Sequence, residues 1–410
     1  MQYWAILWLI LFSGSLYFQV LRIRLTMIII GLTIAIFLIA GWNFNKRNLK
    51  FIIIYSIGII LNILFTFDRG ININDVILLL LRFLFLAFIQ TNMEEIEYKK
   101  IYINIMTVEC IVSLICFLYA DILAIGTLPF YHVEAGTVNT YLLTPYYTVG
   151  WRNVGIFHRN AGLFLEPGSH QIFINFALLF LLISQKELQY SKCKYISKLL
   201  ILIITLLTTQ STTGYMCFAV IMVAVVLMNK STNLIEGKFA KWIKIGAVIS
   251  LIVLVLVESN TQVIEDKFAG MYNGHSSAKT RLNDTLAGYR LALSNPLFGY
   301  GIFGESTISI LADEGVTNIS NGMAAFLMGA GLVLGVFFLA WTYIRMKKAM
   351  PYGRLCNVLI FTFYLLCINS EGGVLARLVY LTFLFEWKKH NYGRVEGKWI
   401  LENKIVNNGV

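Results

Sequence analysis

The chain has 410 residues, 58% of them hydrophobic and 13% charged, with a formal net charge of +11. A soluble protein of this size carries about twice that share of charge. The apolar residues also come in long runs, so the composition excludes a soluble enzyme built around one large core. The basic residues cluster in loops instead of on one folded face, which excludes nucleic acid as a partner.

In chain order, twelve membrane spans are predicted near 4–21, 25–41, 51–67, 76–90, 101–125, 168–184, 197–211, 213–229, 245–258, 323–344, 355–369 and 374–387. The expected fold is therefore all-α, a single polytopic membrane domain over 1–410. Several spans are shorter than the roughly 20 residues a helix needs to cross a bilayer. The first span lacks a basic n-region and a small-residue cleavage site, so it reads as a retained anchor. Arg82 in span four and Glu109 in span five lie at similar depth at about 1.5 Å per residue, which predicts a structural ion pair between them. The segment Lys198 to Met228 is broken by TTQSTTG and reads as a hairpin, because both flanking loops are rich in lysine. All five prolines (Pro129, Pro145, Pro167, Pro296, Pro351) fall in loops, so no span is expected to carry a proline kink.

With both termini cytoplasmic, most of the 33 lysines and arginines fall in inside loops and the tail, as the positive-inside rule requires. Arg22 and Arg24 run against it, in the first outside turn, where they are expected to snorkel into the headgroups. The six cysteines show neither a disulfide framework nor a CxxC metal pattern.

Two long outside loops, 126–167 and 259–322, hold the residues suited to chemistry, and loops of that length are functional or disordered. The first ends in GWRNVGIFHRNAGLFLEPGSH, Gly150 to His170. Arg152 and Arg159 are seven residues apart and share a face if the segment is helical. Their planar forks suit phosphate, although lipid headgroups or helix carbonyls are equally good partners. Gly155 and Gly162 permit tight turns and close approach of a ligand. Glu166, before Pro167 at a helix start, is either a cap or a base for an acceptor hydroxyl. His158 and His170 are proton carriers or ligands by type; neither has a partner at metal spacing, so packing or a hydrogen bond is the default and no metal is expected.

The second loop carries RLNDTLAGYRLALSNPLFGYGIFGES from Arg281. Leu282, Leu286, Tyr289 and Leu293 recur at helical spacing, predicting an amphipathic helix able to lie on the membrane surface. Asn295-Pro296 ends it, and Gly299, Gly301 and Gly304 follow as a flexible turn. Arg281 and Arg290, nine residues apart, point about 180° from each other on one helix. They share a face only if the helix begins after Arg281, at a cap on Asn283 or Asp284. Arg290 is favoured, because the glycine turn follows it directly; the alternative is a surface helix with solvated arginines. In span twelve, Arg377 lies within about one turn of the outer end, after Ser370-Glu371-Gly372-Gly373, within reach of an outside cavity.

These motifs, in this order and with this layout, resemble the O-antigen polymerase and ligase superfamily, the Wzy-type polymerases and WaaL-type ligases. The resemblance rests on RNAGLFLEPGSH opening a span, the STTGY break at Ser211 and YRLALSNPLFGYGIFG in the second loop. RxxGxxxEP is more similar to polymerases than to ligases. Arg290 and Gly301, with ten residues between them, match a spacing seen in Wzy loops. The first loop departs from it, since Leu163 or His170 stands at that distance from Arg152 or Arg159, and the choice between those two arginines stays open. Ligases carry a catalytic histidine in the second large loop; His275, upstream of the arginine motif, is the only histidine there.

The resemblance implies a GT-C-like glycosyltransferase in the bacterial plasma membrane, with its site on the extracytoplasmic face. Its substrate would be an oligosaccharide on undecaprenyl diphosphate, and its pathway partners a chain-length regulator and a flippase. Arg159, Arg290 and Glu166 are then the expected catalytic residues, with Arg152, Arg281, Arg377, His170, Gly162 and Gly301 expected at the substrate. No cofactor is implied. A transporter is the rival class, but transporters bind near the midplane through broken helices, whereas these candidates lie at the outer rim.

Overall fold

A computed structural model gives the fold and describes residues 1–15, 18, 23–67, 72–119, 128–133, 136–141, 144–148, 159–164, 166–232, 277–302, 310–311, 319, 321–350, 353–371, 374, 377–388, 394–395 and 398–399. The first half of the body comprises α1 (Gln2–Phe12), α2 (Ile23–Ile39), α3 (Lys46–Phe65), α4 (Ile73–Asn92) and α5 (Glu95–Phe117). The second half holds α6 (Pro167–Ile183), α7 (Gln185–Leu188), α8 (Lys192–Thr208), α9 (Thr212–Thr232), α10 (Ser277–Ser294), α11 (Gly322–Ala349), α12 (Arg354–Ser370) and α13 (Leu378–Leu381). By length and composition α3, α4, α5 and α11 can each cross a membrane, and α1, α2, α6, α12 and the 212–228 part of α9 are shorter apolar helices.

Predicted spans two to eight, ten and eleven coincide with these helices. The ninth, 245–258, lies outside the described residues. The first is cut short at Phe12; the chain turns at Gly14, φ +142, and Ser15 pairs with Phe164. The twelfth is a correction, because the described residues of 374–387 form only the single turn of α13, not a spanning helix. Leu378 to Leu381 are fully buried, and irregular backbone is tolerated at membrane depth when protein surrounds it. Side chains replace the missing ladder: the Gln90 amide donates to Thr382 O, and Trp341 Nε1 donates to Leu384 O at 3.0 Å.

The body is helical as expected, and the loop 126–167 adds strands. Leu128–Val133 (β1), Gly136–Tyr141 (β2) and Thr144–Thr148 (β3) pair antiparallel in the order β1-β2-β3. The loop is rich in threonine and tyrosine, which favour strands. Two short strands, β4 (Arg394–Val395) and β5 (Lys398–Trp399), pair in the tail.

The centre of the bundle is α6, buried along almost its whole length. It packs against α5, α8 and α9, and α12 closes on α9 and α11. The helical break inside Lys198–Met228 is present: α8 ends at Thr208, Gln210 takes φ +48, and α9 begins at Thr212. At the end of the bundle opposite α6's first turn, Glu386 joins Arg47 of α3 at 3.2 Å and Arg345 of α11 at 2.9 Å. Asn48 adds hydrogen bonds to both Glu386 N and Glu386 O.

One helix is broken where no break was expected. Inside α11, Gly331 takes φ 78 and ψ 164, values that only glycine adopts readily. The turn that follows α10 enters this gap. Leu332 N donates to Pro296 O, Tyr300 N to Met328 O and Gly301 N to Gly329 O. Asn62, 1% exposed on α3, locks the turn with its whole amide: Nδ2 donates to Gly329 O and Phe298 O, and Oδ1 accepts from Ile302 N.

Candidate functional site

Two of the three motifs, RNAGLFLEPGSH and STTGY, meet at α6, and the third is joined to its first turn through α11 and α12. The start of α6 follows from local sequence: Glu166 is the N-cap by position, Pro167 opens the helix, and Ser169 N and His170 N donate to Glu166 O. The Glu166 side chain makes no capping hydrogen bond, so of its two expected roles the cap is not made.

Asn160 holds the first-loop segment to the bundle. Its backbone N–H donates to Thr208 O at 3.0 Å, its Nδ2 to Thr208 Oγ1 at 3.0 Å, and its Oδ1 accepts from Ser113 Oγ at 2.7 Å and Gly162 N at 3.0 Å. These bonds fix its neighbour Arg159 over the turn between α8 and α9, where Arg159 Nε donates to Thr209 O at 3.1 Å. Arg159 thus caps a helix carbonyl with one edge of its fork, as one of its expected roles allowed.

Beneath this segment lies a buried acid. Glu109 Oε2 is 3.0 Å from His170 Nε2, and Glu109 Oε1 accepts from Leu163 N at 3.2 Å. His170 Nδ1 faces Asn160 O at 3.4 Å, so both ring nitrogens look at acceptors. The expected Arg82–Glu109 pair is therefore corrected. Equal depth on two helices says nothing about which way each faces; Arg82 interacts with Asp75, two turns away on its own helix, while Glu109 faces α6. His170 is fully buried and braces the loop through Asn160 O and Glu109.

Gly162 adopts φ +54, and a methyl there would overlap Glu109 and His170, so the tight turn expected of it is required twice over. Glu109, Cys110 and His170 also bring one donor atom each to within 4.8 Å. The Glu109 oxygens are already engaged by His170 and Leu163, which suits a hydrogen-bonded lock better than a metal centre.

Two further chain segments reach the same place. Arg377, 7% exposed, donates from Nη2 to Ser169 Oγ at 2.8 Å and lies 3.7 Å from Glu371 of the α12 C-cap. The STTGY break contributes Gly214, whose carbonyl accepts from Asn175 of α6 and whose bare Cα lies against Gln171. Gln171 in turn donates to Ser370 Oγ at 3.4 Å.

The second loop joins through α11. Gly288 of α10 packs on Ala324 and Ile319, and Gly322 packs on Ile368 O and Glu371 O. Helix α10 begins at Ser277, so no cap at Asn283 or Asp284 brings Arg281 round to the face of Arg290. Arg290 is exposed. Asp284, Ala287, Leu291 and Ala292 form the buried face, while Leu282, Leu286 and Leu293 stay exposed, as a helix lying on a membrane surface would leave them. Gly301, φ +96, belongs to the turn whose N–H groups bond to α11 carbonyls, its own donating to Gly329 O. Arg152, His158, His275, Gly155 and Gly304 lie outside the described residues, as does the Arg281 side chain.

Sequence reasoning passed over Asn160, Glu371, Asn62 and Gly331. Asn160 stands inside the quoted motif, and Glu371 directly precedes the glycines before Arg377, so position alone could have flagged both. Asn62 and Gly331 had only the weaker signal of a polar residue and a glycine inside apolar runs.

Residues 198–339 match the family model described as O-antigen ligase. No curated protein and no solved structure matches the chain. The matched stretch runs from α8 through STTGY and the second loop into α11, and leaves out RNAGLFLEPGSH. It supports a membrane, glycosyltransferase-like enzyme of the O-antigen polymerase and ligase superfamily, without separating polymerase from ligase.

Proposed function

We propose that the chain is a repeat-unit polymerase. It transfers a growing glycan from undecaprenyl diphosphate to the non-reducing end of another lipid-linked repeat unit at the outer face of the bacterial plasma membrane. The observation that carries this reading is the bond of Arg377 to Ser169 in the first turn of α6, whose N-cap position is Glu166, with Arg159 on the α8–α9 turn beside Asn160, whose carbonyl faces His170 of α6. The Arg290 helix is joined to that place through α11 and α12. Arginine forks beside a helix N-terminus suit phosphate oxygens.

In this reading Arg159 and Arg290, helped by Arg377 or Arg152, hold the donor diphosphate and stabilise the charge that builds as it leaves. Glu166 takes the proton of the acceptor sugar hydroxyl. The attacking oxygen forms the new glycosidic bond as the sugar–phosphate bond breaks, and the lipid diphosphate departs with the electron pair. His170, Gly162 and Gly301 act by shaping the two loop ends.

Arg290→Lys keeps the charge and loses the fork. Polymer yield is expected to fall about ten-fold to a hundred-fold, the worth of one or two charge-assisted bonds; unchanged chain length and yield would remove Arg290 from the site. The family match, which does not separate the two, leaves a ligase as the second reading. The lipid-linked glycans of a deletion strain decide between them: single repeat units accumulate if a polymerase is lost, and long polymer stays on the lipid if a ligase is lost. Units trapped inside would indicate a flippase.

A further inference from the structure

Arg377 is a guanidinium taken almost wholly out of solvent, a position that needs a counter-ion. Glu371 supplies one, but loosely. The pair stands at 3.7 Å, against about 2.7–2.9 Å for a tight charge-assisted bond. The tight partner of Arg377 Nη2 is the Ser169 hydroxyl at 2.8 Å.

The Glu371 carboxylate is also seated against the first turn of α6, so closely that any side chain at position 168 would overlap its Oε1. Gly14 faces Arg377 Nη1, where an added methyl would make a contact of 3.2 Å, tighter than usual but short of overlap. Gly168 therefore clears a seat in which one carboxylate meets a buried arginine, a hydroxyl and a helix start. Glu371 itself lies beyond the last turn of α12 in extended backbone, with its side chain 14% exposed, so it can leave without unwinding a helix.

We infer that Glu371 is a built-in counter-ion filling the seat of a phosphate group. A diphosphate binds Arg377 and Ser169 by exchanging with it. The inference rests on the proposed action on a lipid diphosphate and adds how that group is admitted. Exchange keeps Arg377 paired at every stage. It also makes Glu371 selective, since a weakly charged ligand cannot offset losing it. A phosphate that joined the seat without displacing the carboxylate would face a like charge within a few ångströms. No bond is made or broken in this step.

The test uses the purified full-length protein in lipid nanodiscs, with inorganic pyrophosphate as probe. Glu371→Gln keeps the shape and removes the competing charge, so pyrophosphate should bind at least five-fold tighter than to the wild type, while Arg377→Gln should abolish binding. Unchanged or weaker binding by Glu371→Gln overturns the inference.

If that variant does not fold, the wild type carries the test. Carboxyl footprinting of Glu371 with glycine ethyl ester should rise when pyrophosphate is added, and a constant or lower yield overturns the proposal. Undecaprenyl diphosphate should displace pyrophosphate, marking the lipid as the source of the anion; failure to compete also overturns it. Binding that depends on Arg377 but not on Glu371 defeats this inference alone. Wild-type protein that binds neither probe, together with an active Arg290→Lys, defeats the functional reading as well.

Discussion

The two large loops reach the same end of the bundle and are held there by opposite means. The first ends on side chains. Asn160 satisfies four backbone and side-chain groups, and the Glu109–His170 pair braces the turn at Gly162 from below. The second ends on backbone, its Pro296–Gly301 turn completing the hydrogen bonds that α11 gives up at Gly331. A landing made of side chains has one way to fit. A landing made of backbone competes with the helix it interrupts, because an unbroken α11 would satisfy the same N–H and C=O groups. The landing at 159–164 is therefore expected to hold, and the landing at 296–301 to be the one that can let go.

Gly162→Ala should break the first landing outright. It asks alanine for a left-handed φ and drives a methyl into Glu109 and His170, and separating a buried pair costs about 3–5 kcal/mol. Loss of folded protein is expected, read as a collapsed monodisperse peak and a large drop in thermal midpoint. A stable, active variant would mean that the pair does not brace the loop.

Gly331→Ala should separate stability from activity. Alanine cannot hold φ 78 and ψ 164 next to Leu297 O and Gly299 N, but it is the best helix former, so α11 can close and expel the turn. The expected outcome is a thermal midpoint within a few degrees of wild type and polymer yield reduced more than about ten-fold, by displacement of the Arg290 helix. Equal losses of both would erase the contrast between the landings.

How much of this was readable in the sequence follows from the same physics. Apolar runs and glycine breaks gave the helices, because a bilayer permits few alternatives. The segment 374–387 misled, since an apolar run wrapped in protein need not be helical when Gln90 and Trp341 serve its carbonyls. Arg82 and Glu109 misled because depth can be counted along a helix while direction around it cannot. The arginines of the loops were visible as types. Their supports were not, because Asn62 and Asn160 act through contacts 236 to 267 and 47 to 48 residues away in the chain.

The smallest effect is the most informative about the second landing. Asn62→Ala leaves Gly329 O, Phe298 O and Ile302 N without the amide that now serves all three. Each buried group left unsatisfied costs about 1–3 kcal/mol, and relaxation of the turn should bring the total to the lower end. A modest fall in thermal midpoint is expected, with a several-fold loss of polymer yield. The decisive measurement is the double variant. If Asn62 acts only by holding the turn in the gap, adding Asn62→Ala to Gly331→Ala should cost almost nothing more, because the turn has already left. Fully additive losses would mean that Asn62 works through some other contact, and that the broken helix and its clamp are not one device.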